Sequence, residues 1–209
     1  MDALERYIEE HVTAEDPLLT ELDRETHLRV VQSRMISGHV QGRLLEMLVR
    51  MLRPQRILEI GTFTGYSAIC MARGLSDGGE LHTIEVNDEL EEFAAGYFVR
   101  SGLSDRITQH IGSALDIVPS LGRFDLIFID GDKREYPQYY DMVMTHSVHS
   151  GTFLLADNIL WYGKVTENVP QSDRHTRAIR EFNDRVVEDD RVENVILPIR
   201  DGLNLIRVK

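Results

Sequence analysis

The chain has a single cysteine, Cys70, in 209 residues. No disulfide can form within it, and a reducing compartment, the cytoplasm, is the expected location. Cys70 falls in the helical-looking stretch SAICMARGL and reads as a small buried hydrophobe rather than a nucleophile. No apolar run approaches the length of a membrane span, and the opening MDALERYIEEHV is too acidic and polar for a signal or transit peptide, so no membrane partner is expected. Positive charge is scarce: 23 Lys and Arg stand against 35 Asp and Glu, for a formal net charge of −12. Duplex nucleic acid needs clustered basic residues and is not an expected partner, although a locally basic pocket is still allowed. Repeats, low-complexity stretches and linkers rich in Pro, Ser or Gly are all missing. What is there is 42% hydrophobic and 28% charged, ordinary for a globular chain. One domain spanning 1–209 is expected.

The first fifty or so residues carry no strand pattern. DALERYIEEHV, LLTELDRETHLRVVQSR and HVQGRLLEMLVRML each repeat apolar residues at helical spacing. From residue 56 the pattern alternates. RILEI, ELHTIEV (80–86), RITQHIG, FDLIFID (124–130) and TFLLADN read as strands. TGYSAICMARGL, with Thr64 as candidate N-cap, DELEEFAAGYFVRSG ending near Gly102, ALDIVPSLG, EYPQYYDMVMTHSVHSG and DRHTRAIREFNDRVVED read as helices between and after them. VENVILPIRDGLNLIRVK closes the pattern with two apolar runs around Asp201–Gly202, a hairpin signal. Alternating strands and helices with short connections predict a doubly wound α/β fold, a parallel sheet covered on both faces, with an antiparallel hairpin on one side and added N-terminal helices. His146 and His149 would share one helical face and read as solvated, not as metal ligands.

Ligands of such sheets bind beyond the carboxyl ends of the strands, near the point where strand order reverses. In EIGTFTGYS, Gly61 and Gly65 bracket a tight strand-to-helix turn where backbone can approach a ligand closely. Phe63 stands where a dinucleotide fingerprint wants its middle glycine, so the turn fits NAD poorly. Glu85, at the end of the second strand, has two readings: an acceptor for the ribose hydroxyls of an adenosine-containing ligand, or an ordinary acid at a helix start. Turn and acid together favour an adenosine cofactor that need not be NAD. Asp130 should sit at the sheet rim, with Lys133 three residues on. Asp157 and Asn158 stand together in DNILWYGK, where plain turn chemistry is the ordinary explanation. If the fourth and fifth strands are neighbours, Asp130, Asp157 and Asn158 converge and offer only oxygen. Oxygen donors select a hard cation, Mg²⁺ first, with Mn²⁺ and Ca²⁺ as alternatives. Three donors leave places for water or substrate, as a catalytic site requires, and Lys133 beside them is a candidate general base.

LEIGTFTGYSA, TIEVN, FDLIFIDGDKREY and ADNILWYGKV, in that order, resemble the motifs of the cation-dependent O-methyltransferase family. That family includes catechol O-methyltransferase, caffeoyl-CoA O-methyltransferases and bacterial relatives; the ADN form is similar to the caffeoyl-CoA and bacterial branch. The resemblance runs from about Met35 to the C-terminus. It implies a mostly parallel, seven-stranded Rossmann-like methyltransferase sheet over 53–209 with an antiparallel C-terminal hairpin, and a helical cap over 1–52. It implies divalent-cation-dependent transfer of a methyl group from S-adenosylmethionine to one hydroxyl of a catechol-type small molecule. By the same resemblance Glu59, Gly61, Thr62 and Ser67 line the methionine end of the cofactor, with Gly65 and Asp130 beside them. Glu85 holds the ribose, Ala114 lies against adenine and Ser37 approaches the methionine carboxylate. Asp130, Asp157 and Asn158 match the metal ligands and Lys133 the catalytic lysine. Two positions depart from the pattern: Phe63 replaces a tyrosine of some relatives, and Leu115 replaces a polar adenine contact. Met35 and Trp161 are expected to wall the substrate pocket, and 161–174 reads as a substrate lid. A homodimer is expected, as relatives often are dimers. Two rival readings are an NAD-dependent oxidoreductase on a similar sheet and a non-catalytic protein that binds an adenosine cofactor.

Overall fold

The computed structural model describes residues 3–209. Three helices come first: α1 (Ala3–Glu10), α2 (Pro17–Arg29) and α3 (Gly38–Leu52). Asp2, at the start of the first expected helix, lies outside the described residues. Asp16 caps α2 by accepting a hydrogen bond from Leu18 N, and Pro17 takes the first helical position, where its missing N–H removes no helical bond. The second helix stops at Arg29 rather than running on to Arg34, because Val30 turns extended. A short 3₁₀ turn, Ser33–Met35, then leads into α3.

The alternating part follows as β1 (Arg56–Ile60), α4 (Tyr66–Gly74), β2 (Glu80–Glu85), α5 (Glu91–Arg100), β3 (Ile107–Ile111), α6 (Ala114–Ile117), β4 (Leu126–Ile129), α7 (Tyr136–His146), β5 (Phe153–Asp157), α8 (Arg174–Glu188), β6 (Val192–Leu197) and β7 (Leu203–Val208). One seven-stranded sheet results, in the order β3-β2-β1-β4-β5-β7-β6. Strands β1 to β5 are parallel, and β7 enters antiparallel between β5 and β6. The central strands are nearly continuous apolar runs because both faces are covered. On one face Leu58, Ile60, Ile127 and Ile129 pack with Tyr136, Val143 and Phe182 of α7 and α8. On the other, Ile57, Leu126, Phe128 and Leu155 pack with Leu45, Val49, Ile69 and Met71 of α3 and α4. Each such side chain contributes about 1.5–3 kcal/mol on burial, so the rim carrying the site acids is mounted on strands packed on both faces.

Several boundaries differ from the sequence expectation. Thr64 is not the N-cap of α4. Gly65 occupies that position with φ +88°, and Thr64 is buried with its hydroxyl paired to Thr26 Oγ1 at 3.1 Å. β2 stops at Glu85 and leaves Val86 exposed. β4 begins at Leu126, with Phe124 buried just before it. α7 ends at His146, so His149 shares no helical face with it; its Nε2 instead lies 3.0 Å from Asp125 Oδ1. The lid stretch forms a kinked 3₁₀ segment, Trp161–Thr166, and ends at Asp173, the N-cap of α8.

Candidate active site

Strand order reverses between β1 and β4. β1 continues outward to β2 and β3, while β4 continues the other way to β5. The crevice outside the carboxyl ends of these two strands is where an open α/β sheet binds ligands. The chain leaves β1 through Gly61 at φ +105°, and a Cβ there would lie 2.4 Å from the Asp130 carbonyl oxygen. Glycine is required because the two strand ends approach so closely.

Glu59, the last acid on β1, has no exposed surface. It accepts hydrogen bonds from Ser67 Oγ and Thr83 Oγ1, each at 2.5 Å. Thr62 points inward to Thr83 Oγ1, 2.5 Å away, and joins this buried network. Burial pushes the Glu59 carboxyl up to about 8, against the two hydroxyl bonds, and the charges of Asp130 and Glu85 add to the rise. Such a group is short of a positive partner. Glu85, at the end of β2, accepts from Phe63 N at 2.7 Å and Asn87 N at 2.9 Å, one bond on each oxygen. Each oxygen keeps a lone pair for a ligand hydroxyl. Ala114 is buried at the start of α6, and Ser37 is buried just before α3.

The register Ile129↔Ala156 between β4 and β5 brings Asp130 and Asp157 to the same rim. Lys133 donates to Asp130 Oδ1 at 2.6 Å and to Tyr136 Oη at 2.8 Å. The hydroxyl of fully buried Tyr136 faces the Asp157 carbonyl at 2.8 Å and the Ile129 carbonyl at 3.0 Å, which ties the lysine to both strand ends. Burial raises the Asp130 carboxyl; Lys133 opposes this and the Asp157 charge adds to it. Asp157 is 3% exposed. Its Oδ1 accepts from Asn158 N at 2.8 Å and its Oδ2 from Gln41 Nε2 at 2.6 Å. Asn158 sits in the left-handed region at φ +57°, a conformation that asparagine tolerates better than most residues.

These donors fit a hard cation. Asp130 Oδ2 and the Asn158 side chain accept or donate no hydrogen bond among the described residues, and the set is oxygen-rich. Among the described residues no three His, Cys, Asp or Glu side chains form a metal cluster; this set has two acids and an amide. Trp161 is half-buried and stacks on His175, with centroids 5.6 Å apart. Met35 is 51% exposed, and no hydrogen bond joins it to the cluster. A groove of about 640 Å³ lies elsewhere, beside the start of β3, lined by Arg43, Arg50, Arg73 and Arg106. Each of these arginines carries an acid partner, Glu46, Asp16 or Asp77.

A family model described as O-methyltransferase matches residues 9–209. The chain belongs to the O-methyltransferase family. It is an O-methyltransferase, and this replaces the oxidoreductase reading. It is 35% identical to a catechol O-methyltransferase of Niastella koreensis, over 81% of this chain and 80% of that protein. It is 32% identical to a caffeoyl-CoA O-methyltransferase of Eucalyptus gunnii, over 99% of this chain and 87% of that protein. Among solved structures, an O-methyltransferase of Bacillus cereus in complex with SAH superposes with a TM-score of 0.88 at 30% identity, over 99% of this chain and 97% of that one.

Sequence reasoning missed four residues of this O-methyltransferase's crevice. Thr83 lies in the second strand and Tyr136 stands three residues after Lys133, a spacing that could have marked it. Gln41 and Arg200 come from distant parts of the chain and had no local signal. Arg200, in the β6–β7 connection, donates to the Gln41 side chain and to the carbonyls of Ser37 and Ile36.

Proposed function

We propose that this O-methyltransferase moves a methyl group from S-adenosylmethionine to one hydroxyl of an aromatic vicinal diol, with a divalent cation held by Asp130, Asp157 and Asn158. The observation that carries the reading is Lys133 buried between the Asp130 carboxylate and Tyr136 Oη, at the rim beside the Gly61 turn. Catechol and caffeoyl-CoA, the acceptors named for two relatives, both carry adjacent hydroxyls on an aromatic ring. Bound in the crevice, the sulfonium cofactor would supply an electrophilic methyl, and a cation held by Asp130, Asp157 and Asn158 would supply Lewis-acid charge.

The protein's own groups do the rest. Glu59 takes the ammonium of the methionine portion, the positive partner that its burial leaves it short of. Glu85 accepts from the ribose hydroxyls. Ser37 stands at the methionine carboxylate, and Ala114 backs the adenine. Lys133 Nζ receives the proton of the attacking hydroxyl; the O–CH₃ bond forms as the S–CH₃ bond breaks, leaving a neutral thioether. The Lys133–Tyr136 bond keeps the amine at one distance from the acceptor, which is where orientation lowers the barrier. Trp161 offers an aromatic wall to the ring.

The test is incubation with S-adenosylmethionine, Mg²⁺ and a panel of catechols, with products read by mass. A product heavier by one methyl is expected, lost on chelation with EDTA and restored by Mg²⁺ or Mn²⁺. Full turnover by demonstrably metal-free protein would end the cation role, and failure on every aromatic diol would end the acceptor class.

A further inference from the structure

We infer that Gln41 is a positioning residue for Asp157, held in turn by Arg200, so that the β6–β7 connection and the segment before α3 set the geometry of the cation site. The inference rests on the cation reading above and goes beyond it.

Gln41 is 2% exposed in the first turn of α3. Its amide lies between two groups of fixed character. Arg200 can only donate, so the atom it meets is Gln41 Oε1. The Asp157 carboxylate can only accept, so the atom it meets is Nε2, at 2.6 Å. Neither partner tolerates the flipped amide. With Asn158 N on Oδ1, both oxygens of Asp157 are held and the carboxylate plane is set before any ligand arrives. Such outer hydrogen bonds orient a ligating carboxylate, and their loss typically lowers metal affinity about 10- to 100-fold.

Arg200 gives the arrangement its reach. Its backbone is left-handed, φ +49°, uncommon for a residue with a side chain. From there its guanidinium crosses to the carbonyls of Ile36 and Ser37 as well as to Gln41. One side chain thus fastens the segment that carries Ser37 and the amide that orients Asp157.

The probe is Mn²⁺ alone, its free concentration read by electron paramagnetic resonance against wild type, Gln41→Leu, Gln41→Met, Arg200→Met and the double variant Gln41→Leu/Arg200→Met. Asp157→Asn checks that the bound Mn²⁺ is at this site. Gln41→Met keeps the side-chain length and serves if the leucine variant does not fold. Both Gln41 variants should weaken Mn²⁺ binding about 10-fold or more, with S-adenosylmethionine affinity by calorimetry little changed. Arg200→Met should weaken it less, and the double variant should be no worse than Gln41→Leu alone, because Arg200 acts through Gln41. A purely structural role would lower thermal stability and leave Mn²⁺ affinity intact; that result, or additive losses in the double variant, would overturn the inference. A wild type that binds no Mn²⁺ would overturn the cation reading with it, whereas a wild type that binds and variants that bind equally well would overturn this inference alone.

Discussion

Lys133 and Glu59 are both buried ionisable side chains, and each is read by a different measurement. If Lys133 Nζ takes the acceptor's proton, Lys133→Ala should lower kcat by about 10²–10⁴ with cofactor affinity little changed. Lys133→Arg should fail almost as badly, since a guanidinium stays protonated near neutral pH; steady-state rates of both variants at pH 7 check this, and a wild-type rate for the arginine variant would remove the base role. Glu59 acts on stability. Its carboxyl is raised to about 8 by burial, from an unfolded value near that of a free glutamate. Between about pH 4.3 and 8 the folded chain therefore binds the proton more tightly than the unfolded chain, so stability is full below the window and falls as pH rises through it. Thermal unfolding of the ligand-free protein should shift down from pH 5.5 to 8.5, and Glu59→Gln should flatten that slope. An unchanged slope in the glutamine variant would place the titrating group elsewhere. Residue type made Lys133 visible in the sequence, three residues past Asp130 at the end of an apolar strand, whereas Glu59 was reached only through the family resemblance. Gln41 and Arg200 were invisible because they meet 159 residues apart in the chain, beyond any local spacing.

At the scale of elements, the strands were the most legible part. LIFI and FLLAD are buried on both faces, so an uninterrupted apolar run was enough to find them, and the acids at their ends followed. Boundaries set by backbone conformation were less legible. Thr64 has the composition of a cap, but the turn needs the left-handed residue that only Gly65 supplies cheaply, which frees the threonine for the interior. Strand order was not readable from pattern alone, because which strands pair is decided by tertiary packing rather than by periodicity. The β1–α4 turn gives an element-scale prediction. Gly61→Ala would force a side chain into φ +105° and set a methyl 2.4 Å from the Asp130 carbonyl. A loss of about 2 kcal/mol or more is expected from strain and clash together, measured by urea unfolding. A wild-type midpoint would mean that the β1 and β4 ends can part without cost.

For the whole molecule, protection should follow the sheet from centre to edge. β4 is buried along its whole length, while β6 exposes Glu193, Asn194, Val195 and Ile196 at the sheet margin. Native-state hydrogen exchange should find the amides of β1, β4 and β5 slowest and those of β6 among the first strand amides to open; the reverse ranking would contradict this packing. The position of β7 has a consequence in time. Asp157 closes β5, and its register partner is Leu203 of β7, a strand synthesised only after α8 and β6. During translation the ribosome thus delivers Glu59, Glu85, Asp130 and Asp157 well before the neighbour that seals β5. Until then β5 is an open edge able to pair with another chain, so this enzyme's nascent form has a window of aggregation risk that its finished form does not.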